Sequence, residues 1–80
     1  MGGKEHKVEG SRCRAGKDGR VLTWKGGRAE GWRVEGERGL RKETEFEVEG
    51  VIREVGEAPD GGFWIVIDAG GSGSFQKVSF

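Results

Sequence analysis

The sequence has few of the residues that build covalent, metal-bound or membrane-spanning structures. It contains one cysteine, one histidine, one proline and no tyrosine. Cys13 has no second cysteine to pair with, and Cys13 with His6 supplies too few ligands for a zinc site. The longest apolar run, residues 63–67, is too short for a signal peptide or a membrane span. These absences predict a cytoplasmic protein with no cofactor and no membrane partner.

Glycine and charge are abundant instead. Seventeen of the 80 residues are glycine and 35% are charged, with a formal net charge of zero. Eighty residues suffice for one domain with a small core, and this glycine content leaves no twelve-residue window that favours a helix. The sequence has no asparagine and one glutamine. High charge with few thermolabile side chains resembles the composition of hyperthermophile proteins, although a GC-rich genome or a designer produces the same pattern.

Short alternating segments that end in glycine turns predict an all-β fold. We expect a flexible N-terminus over residues 1–6 and one domain over residues 7–80. The predicted strands cover residues 7–14, 20–25, 31–35, 45–49, 63–68 and 75–80, while residues 36–42 form a loop and residues 40–45 tolerate at most one helical turn. Gly50 interrupts the alternation after residue 49, which predicts a bend where the chain crosses between sheets. The expected architecture is a small five- or six-stranded Greek-key or OB-like barrel.

An internal echo suggests how such a barrel is built. The stretch KVEG at residues 7–10 recurs as EVEG at residues 47–50, and each is followed by an Asp-Gly turn, a Trp-containing strand and a Gly-Gly pair. Two three-stranded repeats, over residues 7–36 and 45–80, are one interpretation. The alternative is chance, because Val-Glu-Gly also occurs at residues 34–36.

Residues 45–80 carry the pattern of the first three strands of a known domain type. An alternating strand with a central glycine is followed by a glycine turn, an aromatic-aliphatic strand that ends in Asp, and an apolar-Gln-x-Val-x-Phe strand. This pattern resembles OB-fold nucleic-acid-binding domains of the anticodon-binding type found in aspartyl-tRNA synthetases and in related helicase and polymerase domains. The matching residues are Val48, Gly50, Val51, Val55, Gly62, Phe63, Ile65, Ile67, Asp68, Gly73, Phe75, Gln76, Val78 and Phe80.

The resemblance implies an OB-type barrel and, through it, the binding of nucleic acid. The family follows these three strands with a helix and two more strands. Here the missing strands would come from residues 7–35, which makes the barrel circularly permuted, or from another chain. The Arg-Asp pair that often follows the second strand in the family is Ala69-Gly70 in this sequence.

No set of residues predicts an enzyme. His6 lies in a polar N-terminal segment, and Cys13 has no base near it in the sequence. Glu45, Glu47 and Glu49 alternate with apolar residues, which is typical of the wet side of a strand and not of a metal site. We therefore expect a non-enzymatic binding module.

Single-stranded DNA or RNA is the first predicted ligand. Residues 1–43 hold twelve Lys or Arg and seven Asp or Glu, whereas residues 44–80 hold two and seven. A basic groove with aromatic side chains is the usual surface for single strands. Alternation places Phe63, Ile65 and Ile67 on a core side and Trp64 on the opposite side. The candidate nucleic-acid-binding residues are Arg20, Trp24, Lys25, Arg28, Trp32, Arg33 and Trp64.

Several alternatives stay open. The tryptophans can instead fill the core of a small barrel, and the two oppositely charged halves can neutralise each other. The second functional class is a protein-interaction or self-assembling module that pairs through an exposed strand edge, including a designed barrel with no natural ligand. Residues 76–80, QKVSF, also resemble the peptide by which bacterial replication proteins bind the sliding clamp, which competes with a strand over the same residues.

Overall fold

The computed structural model describes residues 11–80 and shows an all-β chain. Seven strands form, one more than the sequence predicts, together with two short 3-10 turns at Lys17–Gly19 and Gly36–Arg38. The described part contains no helix long and apolar enough to cross a membrane. The strands are β1 (Arg12–Ala15), β2 (Arg20–Lys25), β3 (Arg28–Val34), β4 (Leu40–Glu47), β5 (Val51–Glu57), β6 (Phe63–Ala69) and β7 (Ser72–Val78).

The first sheet is an antiparallel meander in the order β1-β2-β3-β4. Its hairpin turns use residues that tolerate a positive φ, such as Asp18 at 59° and Gly26 at 61°. The predicted strand over residues 20–25 is confirmed as β2. The predicted loop over residues 36–42 is wrong from Leu40 onward, and the stretch 40–45 that tolerates a helical turn is strand, because β4 starts at Leu40 and pairs along β3. Pairing with a neighbouring strand overrides a weak local preference.

The second sheet is an antiparallel meander in the order β5-β6-β7. Gly50, with a φ of 113°, separates β4 in the first sheet from β5 in the second, which confirms the predicted crossing between sheets. Between β5 and β6 the chain turns over residues 58–62, where the Asp60 carboxylate accepts a hydrogen bond of 3.0 Å from the Gly62 amide.

The inner faces of the two sheets meet in one core. Leu22, Trp24 and Ala29 pack from the first sheet. The prediction that Phe63, Ile65 and Ile67 share the core side of their strand is confirmed, since all three are buried while Trp64 is exposed. The second sheet contributes the residues Ile52, Val55, Phe63, Ile65, Ile67 and Val78.

Closure into a barrel is not seen in residues 11–80, because their strand pairings form two separate sheets. The five- or six-stranded barrel therefore stays unconfirmed. The first half of the predicted strand over residues 7–14, the first copy of the echo and His6 lie outside the described residues. Phe80 stacks on Phe63 with 5.9 Å between ring centroids, so the end of QKVSF packs on the core, whereas a clamp-docking tail has to be accessible.

Candidate binding surfaces

The candidate residues for nucleic-acid binding do not gather in one place. Alternation along β2 and β3 puts Lys25, Arg28 and Trp32 on the outer side of the first sheet. Trp64 lies on the outer side of the second sheet, across the core from them. The remaining candidates, Arg20, Trp24 and Arg33, are on the inner side of the first sheet.

Arg20 has a structural role. Its side chain is largely enclosed and donates hydrogen bonds to the carbonyl oxygens of Phe80, at 2.8 Å, and Gly61, at 3.3 Å. It also lies 3.4 Å from the Asp18 carboxylate. These contacts fasten both the turn before β6 and the segment after β7 to the first sheet. A phosphate group could bind Arg20 only by replacing these contacts.

Trp24 is 5% exposed and belongs to the core, as the alternative interpretation of the tryptophans expected. The Arg12 guanidinium covers its ring, 5.5 Å from the centroid. The indole nitrogen finds no hydrogen-bond partner among residues 11–80. Because stacking of a base needs an open ring face, the buried Trp24 does not offer a stacking surface.

The outer side of the first sheet around Trp32, here called the Trp32 face, carries both signs of charge. The Trp32 indole nitrogen donates a 2.9 Å hydrogen bond to the Thr23 hydroxyl, and the Lys42 ammonium lies 5.6 Å from the ring centroid. Besides Trp32, this face consists of Thr23, Lys25, Arg28, Glu30, Lys42, Glu45 and Glu47.

Glutamates neutralise most of the cations on the Trp32 face. Arg28 pairs with Glu45 at 2.7 Å and with Glu47 at 3.6 Å. Lys42 pairs with Glu45 at 2.9 Å and with Glu30 at 3.2 Å. Several of these pairs join residues 1–43 to residues 44–80, as expected if the two charged halves neutralise each other.

The same ion pairs shift two pKa values on the Trp32 face. Hydrogen bonds from its ammonium to Glu45 and then to Glu30 raise the pKa of Lys42. The hydrogen bond from Lys42 lowers the pKa of Glu45, and the positive charge of Arg28 adds to that effect. Both groups are therefore fully charged at neutral pH and already bound to each other.

The outer side of the second sheet around Trp64, here called the Trp64 face, is more apolar. In the register of β6 with β7, Trp64 lies opposite Lys77 and Val66 opposite Phe75. Trp64 is 43% exposed, and Phe75 is 74% exposed, the largest fraction among the described large hydrophobic residues. Gly56 is the β5 neighbour of Trp64, so no side chain covers the indole from that direction.

Four charged groups near the Trp64 face form two ion pairs. Lys77 forms an ion pair with Asp60, and Arg53 lies 2.9 Å from the Asp68 carboxylate. The hydrogen bond from Lys77 lowers the pKa of Asp60, followed by the one from the Gly62 amide. Residues 51–80 hold two cations and four carboxylates, so the second sheet with its turn carries a small net negative charge.

Three of the four sheet edges in residues 11–80 carry features that discourage further strand pairing. Strand β1 has two arginines in four residues. Strand β4 carries five charged residues and a register shift opposite Gly31 and Trp32. Strand β5 carries three charged residues and a shift between Ile52 and Glu54, and its start is bound by the Gly26 carbonyl. Charges and bulges are the usual protection of an edge.

Strand β7 lacks this protection. It pairs with β6 without interruption over seven residues, and Lys77 is its one charged residue. Phe75 is not among the site residues predicted from the sequence. The sequence feature that could have identified it is its odd spacing from Val78, which puts the two on opposite sides of the strand, so that one of them must point outward.

Neither metal chemistry nor a known relative assigns a role to these surfaces. Residues 11–80 contain no group of three His, Cys, Asp or Glu side chains that could hold a metal ion. No protein-family model matches the chain, and neither a curated protein nor a solved structure is significantly similar to it.

Proposed function

We propose that the chain is a non-enzymatic binding module that takes an extended segment of a protein partner as an added strand along β7. The observation that carries this proposal is the edge itself: seven regularly paired residues, one charge, and Phe75 exposed beside Trp64. An open edge presents backbone N–H and C=O groups that an extended peptide satisfies.

The Trp64 face would supply the side-chain part of such binding. An added strand places every second side chain on the same side as Phe75 and Trp64. Large aromatic side chains that become covered at an interface contribute most of its binding energy. The segment that fits places an apolar residue beside Phe75 on the outward side. Because residues 51–80 hold four carboxylates and two cations, its remaining residues are neutral or basic.

A titration with a synthetic peptide of alternating Val and Lys tests this function. We expect amide resonances of β7 to shift and the outward-pointing β7 amides to exchange more slowly, as a new strand covers them. Phe75→Ser is expected to weaken binding about tenfold or more, since it removes the central apolar contact. Leu40→Ser is the matched control, because Leu40 is a 49% exposed residue on the edge strand β4.

Two outcomes of this titration contradict the proposal. One is a set of shifts that centres on β1, β4 or β5 instead of β7. The other is an equal loss of affinity in Phe75→Ser and Leu40→Ser, which indicates nonspecific apolar contact. Both variants change exposed side chains, so thermal unfolding of each is expected to match that of the unchanged protein.

Single-stranded nucleic acid is the second candidate ligand, and the Trp32 face favours it. Lys25, Arg28 and Lys42 lie on this face around a partly exposed tryptophan, which is the combination that holds phosphates and stacks bases. The resemblance of residues 45–80 to OB-fold nucleic-acid-binding domains also supports this candidate ligand. Binding here requires phosphates to compete with Glu30, Glu45 and Glu47 for the cations.

Salt dependence distinguishes this second candidate from strand addition. If the Trp32 face binds a mixed-sequence single-stranded oligonucleotide, tryptophan fluorescence is quenched at low salt and the affinity falls steeply as salt rises. Lys25→Glu is expected to weaken binding and lower the salt slope by about one. Lys77→Gln, on the other side of the molecule, is the control. Absence of quenching at low salt by the folded protein would exclude this ligand.

A further inference from the structure

We infer that the segment added along β7 is β7 of a second copy of this chain, antiparallel and related by a twofold axis through Phe75. The inference rests on the proposed function, since it uses the same edge, and it names the partner. Phe75 is the middle residue of Ser72–Val78. An axis at this position is therefore the only one that pairs all seven residues of both strands.

The resulting register brings compatible residues together. Phe75 of one copy lies opposite Phe75 of the other, and aromatic cross-strand pairs are among the favourable ones. Lys77 lies opposite Gly73 of the second copy, so the positive charges do not meet. Ser74 lies opposite Gln76, and Ser72 opposite Val78. No pair in this register opposes two charges of the same sign.

The axis also keeps the two Trp64 faces on one side of the joined sheet. An axis through a residue pairs positions of the same parity, so the outward residues of both copies point the same way. An axis between residues would oppose positions of different parity, whose side chains point to opposite sides, so the pleats of the two strands would not match. The joined six-stranded sheet then carries an apolar row that runs from Val66 through Phe75 of one copy to Phe75 and Val66 of the other.

The other edges are poorly suited to self-pairing. The centre of β5 is Glu54, so a twofold axis there places two carboxylates opposite each other, next to the existing register shift. Strand β4 has eight residues, so a twofold axis through any one of them leaves at least one residue unpaired, and its pairing with β3 is shifted. In β1 two arginines occupy four residues. Among the edges of residues 11–80, self-complementarity is particular to β7.

The contact is small, which predicts a reversible dimer. One pair of seven-residue strands with two aromatic side chains per copy falls below the roughly 1,200–2,000 Å² of standard stable interfaces. We therefore expect monomer and dimer in exchange, with the dimer fraction rising with protein concentration. Dimerisation also covers the edge that is least protected against open-ended aggregation.

Sedimentation equilibrium over a wide concentration range tests the inference on the whole 80-residue chain. A monomer–dimer equilibrium is expected. Phe75→Glu places two carboxylates on the axis and is expected to weaken the dimer about tenfold or more. Leu40→Glu puts the same charge on the exposed edge strand β4 and is expected to leave the dimer unchanged. Matching melting curves establish that both variants are folded.

Isotope-filtered NOE measurements on mixed labelled and unlabelled copies test the register. Contacts between Gly73 of one copy and Lys77 of the other are expected, and contacts between the Lys77 residues of the two copies are not. An unchanged dimer affinity in Phe75→Glu, or a dimer that shows a different set of contacts, overturns the inference.

A protein that stays monomeric at every concentration also overturns the inference, and the peptide titration then decides on the function. If the Val-Lys peptide still adds along β7, the edge binds another protein and only the identity of the partner changes. If neither the second copy nor the peptide occupies β7, the proposed function fails with the inference. An oligomer assembled only on an oligonucleotide would instead favour the nucleic-acid candidate.

Discussion

Phe63→Ala is expected to remove a large part of the protein's stability, whereas Trp64→Ala, one residue later, changes it little. Phe63 is fully buried and Trp64 is 43% exposed. Truncating a buried Phe costs about 3–5 kcal/mol, against roughly 4–12 kcal/mol for the total stability of a domain of this length. For Trp64→Ala we expect a loss of at most about 1 kcal/mol, since the indole lies on the outer side of the sheet.

The position of Phe63 explains the size of this loss. Its ring stacks on Phe80 and lies so close to Gly16 that a Cβ there would be 2.8 Å from the ring. Phe63 therefore joins the loop after β1, the start of β6 and the end of the chain. Removing the ring leaves a cavity that β-strands anchored on both sides cannot easily fill, which is why the loss includes more than the transfer of the side chain.

Chemical denaturation followed by NMR signal intensity measures both variants without depending on tryptophan fluorescence. Phe63→Leu is the intermediate control, because it keeps a buried apolar side chain and is expected to lose less stability than Phe63→Ala. Equal losses in Phe63→Ala and Trp64→Ala would contradict the assignment of the two sides of β6.

The alternation of residue types was enough to predict which sides of the clearest strands are buried. In β6 every second residue is apolar and buried, as Phe63, Ile65 and Ile67 show. In β2 the alternation is less clear. Val21 and Thr23 share one side of the strand while Leu22 and Trp24 share the other, and each side carries an apolar residue, so the pattern does not show which side is buried. The sequence left Trp24 divided between core and surface, and packing against the second sheet decided for the core.

The grouping of strands into sheets could not be predicted from local patterns. A two-residue period shows that a strand has one buried side, but it does not name the strand that pairs with it. The start of β4 at Leu40 depends on β3 as its neighbour. The neutralisation of Arg28 by Glu45 and Glu47 depends on the same long-range register, so the basic surface expected from composition is largely paired.

The exposed edge strand was harder still to predict, because it is recognised by its lack of charged residues and register shifts. Phe75 and Val78 are three residues apart, so the sequence requires one of them to face outward without saying which. The structure buries Val78 beside Phe63 and exposes Phe75. Together with the position of β7 at the end of its sheet, this turns an ordinary hydrophobic residue into the centre of the proposed interface.

The junction between the two sheets gives the second large expected effect. The Gly27 carbonyl accepts a 2.8 Å hydrogen bond from the Val48 amide, and the Gly26 carbonyl accepts one of the same length from Ile52. The β2–β3 turn is thus fastened to the segment that leads from the first sheet into the second. A Cβ on Gly27 would overlap the Gly50 carbonyl oxygen and lie 2.9 Å from that of Val48.

Gly27→Ala is therefore expected to destabilise the protein by about 1–3 kcal/mol or more, the range for adding a methyl group to a filled space. The atoms it meets are backbone, so a rotamer change cannot relieve the overlap. Gly56→Ala is the matched control, since a Cβ at Gly56 meets nothing within 4 Å. We expect Gly56→Ala to be neutral or slightly stabilising, because it lowers the conformational entropy of the unfolded chain. Thermal unfolding of the two variants side by side measures the difference, and similar midpoints would mean that the two sheets are not held together at Gly27.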